Sequence, residues 1–135
     1  MSPRPARTVS IWVDRDPRSV YRYVSDPRHL PAWAPGFAKS VRSEGDEWLV
    51  QTGVETLRIA FVPENDLGVL DHHVTGSHGL DAVNPMRVIA NGAGAEVLFT
   101  LFREPGTADE QFARDLRLVQ SDLSTLKRVL EGAAT

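Results

Sequence analysis

TADEQFARDLRLVQSDLSTLKRVLEG, from Thr107 to Gly132, is the stretch that decides how this sequence folds. Within it Phe112, Leu116, Val119, Leu123, Leu126 and Leu130 recur at alternating steps of four and three residues. That spacing places them on one side of an α-helix as an unbroken apolar stripe. The opening TADE reads as a capping box, in which the Thr107 hydroxyl accepts from the Glu110 N–H and Glu110 reaches back. Gly132 is a suitable stop. At a rise of about 1.5 Å per residue the helix runs about 36 Å, enough to cross the face of a small sheet. A coiled-coil dimer is the rival use of the stripe. Packing within the chain is preferred, because the strands upstream need a layer to cover their apolar face.

Those strands are legible from alternation. TVSIWVD sets Val9, Ile11 and Val13 against Ser10, Trp12 and Asp14. In ETLRIAFVP, Leu57, Ile59 and Phe61 fall on one face and Thr56, Arg58 and Ala60 on the other. FAKSVRS, WLVQT, VLDHHVT, PMRVIAN and EVLFTLF complete the set, joined by short polar turns such as EGDE, ENDLG, GSHG and NGAG. Short turns make an antiparallel meander, since parallel neighbours need long crossovers. Between the first strand and the meander lies DPRSVYRYVSDPRHLPAWAP. Asp16-Pro17 and Asp26-Pro27 both pair a carboxylate cap with a proline at the first helical position, predicting two short helices, the second ending near Pro31.

Composition narrows the function classes. The 135 residues suffice for one domain with a single core, and no repeat or linker divides them. A net charge of −3 gives no electrostatic case for nucleic acid. There is no cysteine, so disulfides, thiol catalysis and thiolate metal sites are excluded, in keeping with a reducing cytoplasm. No apolar run reaches membrane-spanning length. MSPRPAR, residues 1–7, reads as a frayed leader without the apolar core of a signal peptide. No Gly-rich phosphate loop, GxSxG elbow or paired-carboxylate motif is present, and no cofactor is implied.

VYRYVSDPRHLPAWAPGF after the first strand and DLRLVQSDLSTLKRVLE at the end resemble the START-like, helix-grip superfamily (SRPBCC), which includes polyketide cyclases, lipid-transfer domains and plant pathogenesis-related proteins. GVLDHHVT and PMRVIANGAGAEVLFTLF resemble its uncharacterised bacterial members. The resemblance implies an α+β helix-grip domain spanning residues 1–135. A curved antiparallel sheet of about seven strands would wrap the long C-terminal helix, with two short helices after the first strand. It also implies a ligand cavity between sheet and helix. Members range from enzymes to carriers, so it specifies fold better than chemistry.

Candidate site residues follow from strand geometry. GVLDHHVTGSHG holds three of the four histidines, yet His72 and His73 are adjacent and must point to opposite faces. His72 shares its face with Leu70 and Val74 and is placed inward, His73 outward, and His78 in the hairpin loop. One inward imidazole, without HxH or HxxxH spacing, does not make a metal site. His72 is either a hydrogen-bonded core histidine or an acid/base and ligand anchor. Glu55 extends the Leu57, Ile59, Phe61 face by one step, unless it bends to water. A hairpin centred on GSHG places Arg87 on the face of His72, where it would meet Glu55 or a ligand carboxylate. Pro85 could invert that register and leave Arg87 at the surface. Trp33, in PAWAP, is a lid or a core plug. Of Tyr21 and Tyr23, at most one faces the core. The expected cavity lining is therefore Trp33, Glu55, Ile59, Phe61, His72 and Arg87, with Phe112, Leu116 and Leu123 from the helix.

Three function classes remain. The first is binding of a small, largely apolar molecule, lipid-, polyketide- or aromatic-like. The second is a cyclase/aromatase-like enzyme with His72 as acid/base and Arg87 as its partner. The third is an interaction module or homodimer, hinted at by Trp12, whose parity is that of the polar face.

Overall fold

The computed structural model describes residues 3–132. β1 (Ala6–Val13) leads into α1 (Pro17–Val24), a 3-10 turn over Pro27–His29, and α2 (Leu30–Trp33). Both Asp-Pro starts operate. The Asp16 carboxylate accepts from the Ser19 N–H at 3.0 Å, and Asp26 does the same for the Arg28 N–H at 3.0 Å. The second helical segment runs on through Trp33 rather than stopping near Pro31. α1 buries Val20, Tyr21 and Val24. Of the two tyrosines it is Tyr21 that turns inward, its hydroxyl accepting from the Asn65 N–H at 2.9 Å.

Seven more strands follow: β2 (Ser40–Glu44), β3 (Glu47–Gln51), β4 (Thr56–Phe61), β5 (His72–Thr75), β6 (Asp81–Asn84), β7 (Met86–Asn91) and β8 (Gly94–Phe102). They form two antiparallel sheets, ordered β1-β8-β7 and β2-β3-β4-β5-β6. Pro85 accounts for the count of eight where about seven were expected. Lacking an N–H, it breaks one strand in two, so that β6 pairs with β5 and β7 with β8. The backbone nevertheless stitches the two sheets together there. Leu70 N–H donates to Met86 O at 2.8 Å, Val88 N–H to Gly68 O at 2.9 Å, and Thr100 N–H to Pro85 O at 2.9 Å.

The register at this junction corrects one expectation. His72 pairs with Asn84, and Val69 bridges to Arg87. The hairpin is therefore offset by one position from a loop centred on GSHG. Asn84, Met86 and Val88 join His72 on the inner face, and Arg87 stands on the outer one. There Asp71 accepts from both the Arg87 guanidinium and, at 2.8 Å, the Met86 N–H.

α3 (Asp109–Gly132) closes the fold. It begins within a turn of the TADE signal, where the Arg103 guanidinium donates to Thr107 O and pairs with Asp109. The C-terminal half of its stripe makes the core. Leu123, Leu126 and Leu130 are buried against Val13, Val97 and the inner face of the sheet. At the far end Lys127 Nζ donates to Trp12 O at 2.8 Å, and Arg15 donates to Leu130 O at 2.9 Å. Part of the expected leader is paired. β1 already starts at Ala6, and Pro5 O accepts from the Arg103 N–H at 2.9 Å. Met1 and Ser2 lie outside the described residues.

Candidate functional site

A cavity of about 210 Å³ lies between α2, the inner face of the sheet and the first half of α3. Its floor is sheet: Ile59 and Phe61 from β4, His72 from β5, Asn84 from β6, and Phe99 and Leu101 from β8. α2 and the following turn contribute Leu30, Trp33, Ala34 and Phe37. α3 contributes Asp115, Leu118, Val119, Asp122 and Leu123. The interior is largely apolar with a few polar groups, the usual make-up of a small-molecule site.

His72 occupies the floor. It is 7% exposed, with its ring between those of Phe61 and Phe99 at centroid distances of 5.0 and 5.7 Å. Its Nδ1 lies 3.0 Å from Leu70 O. A carbonyl only accepts, so Nδ1 carries the proton and, in the neutral ring, Nε2 presents a lone pair. The Asn84 amide approaches Nε2 only at 3.5 Å, the outer limit of a hydrogen bond. Burial pushes the His72 pKa below the usual histidine value, outweighing the Leu70 carbonyl and the Asp71 charge, which raise it. At neutral pH the imidazole is therefore uncharged.

Two more polar groups were not foreseen. Asp122 is buried on α3, and its Oδ1 accepts from the Gly36 N–H at 3.1 Å. Desolvation raises its pKa, against the Gly36 bond and the Lys39 charge, which lower it. Glycine suits this close approach: a Cβ at position 36 would stand 3.0 Å from Asp122 Oδ1 and 3.2 Å from Leu118 Cδ2. The other is the indole N–H of Trp33. Trp33 is 4% exposed and Nε1 has no acceptor within the protein. A buried donor left bare costs about 1–3 kcal/mol.

The structure brings together Trp33, Ile59, Phe61, His72 and Leu123 of the expected lining. Four others lie elsewhere. Glu55 precedes β4 in a tight loop, where its N–H and carbonyl are both held by Thr52. Its side chain extends toward the Gly76 turn. Arg87 is turned out by the register described above. Phe112 and Leu116 are half-buried on the stripe itself, whereas the cavity opens on the flank carrying Asp115, Leu118 and Asp122. Alternation along Asn84, Met86 and Val88 could have found Asn84, had the pairing been known. Asp122 carried a fainter signal, an acidic residue three positions after Val119 beside an otherwise apolar stripe.

Outside the cavity, His73 pairs with Asp81 on the outer face, and His78 sits in the intervening turn. Among the described residues no group of three His, Asp or Glu is placed to hold a metal ion. No described helix is long and apolar enough to cross a membrane. Trp12 is 38% exposed but has partners within the chain. Its indole donates to Asn91 O at 3.0 Å, Lys127 Nζ stands 5.4 Å from the ring centroid, and Gly94 leaves the space its ring occupies.

An antiparallel sheet gripping one long helix around a cavity defines a helix-grip protein. Residues 5–131 match the family model described as polyketide cyclase / dehydrase and lipid transport, and the chain belongs to that family. Solved structures share the fold at low identity. XoxI from Bacillus cereus is 14% identical with a TM-score of 0.76, over 96% of this chain and 98% of that one. The Aha1 dimer from Colwellia psychrerythraea is 13% identical with a TM-score of 0.74, over 94% and 96% of the two chains. DynU16, from the dynemicin biosynthetic locus, is 18% identical with a TM-score of 0.72, over 96% of this chain and 48% of that one. Identities this low speak to the fold alone. No protein with a curated description matches the chain.

Proposed function

We propose that this protein binds a small, largely apolar molecule in the cavity between sheet and α3. The observation that carries the reading is an unfilled, largely apolar space in the core, lined by a few polar side chains that include His72 and Asn84. A core built only for stability fills its voids and pairs its polar groups. The family description, which joins cyclisation to lipid transport, supports the same reading. At about 210 Å³ the cavity is below the range of about 300–1,000 Å³ common for drug-sized ligands, which favours one or two rings.

A cyclase-like enzyme is the second reading, and His72 Nε2 is what favours it, as a base facing a largely apolar pocket. Burial weakens that base, and Arg87 is not available as its partner. Binding and positioning therefore rank ahead of proton transfer. Native mass spectrometry of the purified chain, incubated with a library of one- and two-ring aromatics, tests the proposal. One-to-one complexes are expected. A chain that retains none of them would overturn it.

A further inference from the structure

The proposed binding leaves open which polar chemistry the cavity accepts, and its charges bear on that. Among the described residues the lining holds two carboxylates, Asp115 and Asp122, and no lysine or arginine. Lys39 lies outside the lining, with its Nζ donating to Pro35 O at 2.9 Å. Arg87, the cation that would have met a ligand carboxylate, pairs with Asp71 on the outer face. An anion entering this cavity would lose its water, meet no cation and lie near two acidic groups. Burial of an unpaired charge is among the most costly events in a protein interior.

The remaining polar groups are directional. His72 Nε2 accepts, since Nδ1 is committed to Leu70 O, and within the protein it meets only the Asn84 amide, at the long distance of 3.5 Å. It therefore calls for a donor on the ligand, and a hydroxyl is the simplest one that can also stay neutral. Around these atoms stand the rings of Trp33, Phe37, Phe61 and Phe99, suited to the face and edge of an aromatic molecule.

We infer that the cavity selects a small uncharged aromatic hydroxyl compound, of the phenol or naphthol class, over the corresponding carboxylate, with the hydroxyl donating to His72 Nε2. This rests on the cavity being a binding site, and the test separates the two claims. Naphthalene, naphthol and naphthoate share one ring system and differ in a single substituent. Their affinities for the full chain are measured by ligand-observed NMR, in the wild type and in His72→Leu.

The wild type is expected to bind naphthol about tenfold more tightly than naphthalene, the worth of one buried hydrogen bond. Naphthoate should bind on the order of a hundredfold more weakly than naphthol. In His72→Leu, naphthol should fall to the level of naphthalene while naphthalene itself is little changed. Naphthoate binding as tightly as naphthol, or a naphthol preference that survives in His72→Leu, would overturn the inference and leave the binding site standing. Failure of all three probes to bind would overturn both. Should His72→Leu not fold, the three wild-type affinities decide the charge selection, and His72→Phe, which also lacks an acceptor, takes its place for the hydroxyl contact.

Discussion

An aspartate on the dry side of a helix keeps its proton to a higher pH than one in water, and Asp122 is such a group. Because its folded pKa lies above the ordinary 3.8, the native state binds more protons than the unfolded chain as pH rises from that value. Stability contributed by the protonated form is thus lost across this window and stays lost at neutral pH. Asp122→Asn keeps the acceptor for the Gly36 N–H and removes the charge. Thermal melts should show it more stable than wild type at neutral pH, with the gap closing toward pH 3.8. His72 has the opposite dependence. Its folded pKa lies below the usual 6.5, so its contribution is complete above that value and is lost as pH falls through the window beneath it. His72→Leu should flatten the fall in melting temperature on the acid side of 6.5. The inward direction of His72 could be read from its neighbours Leu70 and Val74. The part played by Asp122 could not, because a helix position on the flank of the stripe looks polar until the opposing turn is in place.

Among the elements, the junction of β6 and β7 determines what the cavity contains. Alternation identified the strands on both sides of Pro85, but not the offset between them. That offset is fixed by contacts to a proline without an N–H and by the bond from Met86 N–H to the Asp71 carboxylate. Neither is a periodic feature, so alternation alone leaves the face of Arg87 open. Asp71 and Arg87 are bonded partners of unequal importance. Asp71→Ala strands the Met86 N–H and should cost about 1–3 kcal/mol in denaturant unfolding. Arg87→Ala gives up one partly solvated ion pair and should cost less than about 1 kcal/mol. Neither should alter ligand affinity through direct contact, since neither side chain lines the cavity. Equal losses of stability from the two substitutions would argue against the bridging role given to Asp71.

For the molecule as a whole, the long amphipathic helix and the meander were legible because every level of the sequence agreed. The stripe, the Asp-Pro caps and the polar turns all specify one helix laid across one antiparallel sheet. The cavity was less legible, because it is defined by where packing stops. The stripe is buried from Leu123 onward, while Phe112 and Leu116 remain half-buried, so sheet and helix diverge toward the α2 end. Space opens there on the flank of the stripe. The same geometry makes Val119 the position from which a larger side chain would fill that space. Filling a cavity generally preserves or raises stability. Calorimetric titration of naphthol into the wild type and Val119→Phe therefore tests the central claim most directly. The account predicts one saturable site per chain in the wild type and affinity at least about tenfold weaker in Val119→Phe, at an unchanged or higher melting temperature. Equal affinity in the two proteins, or no saturable binding in the wild type, would contradict it.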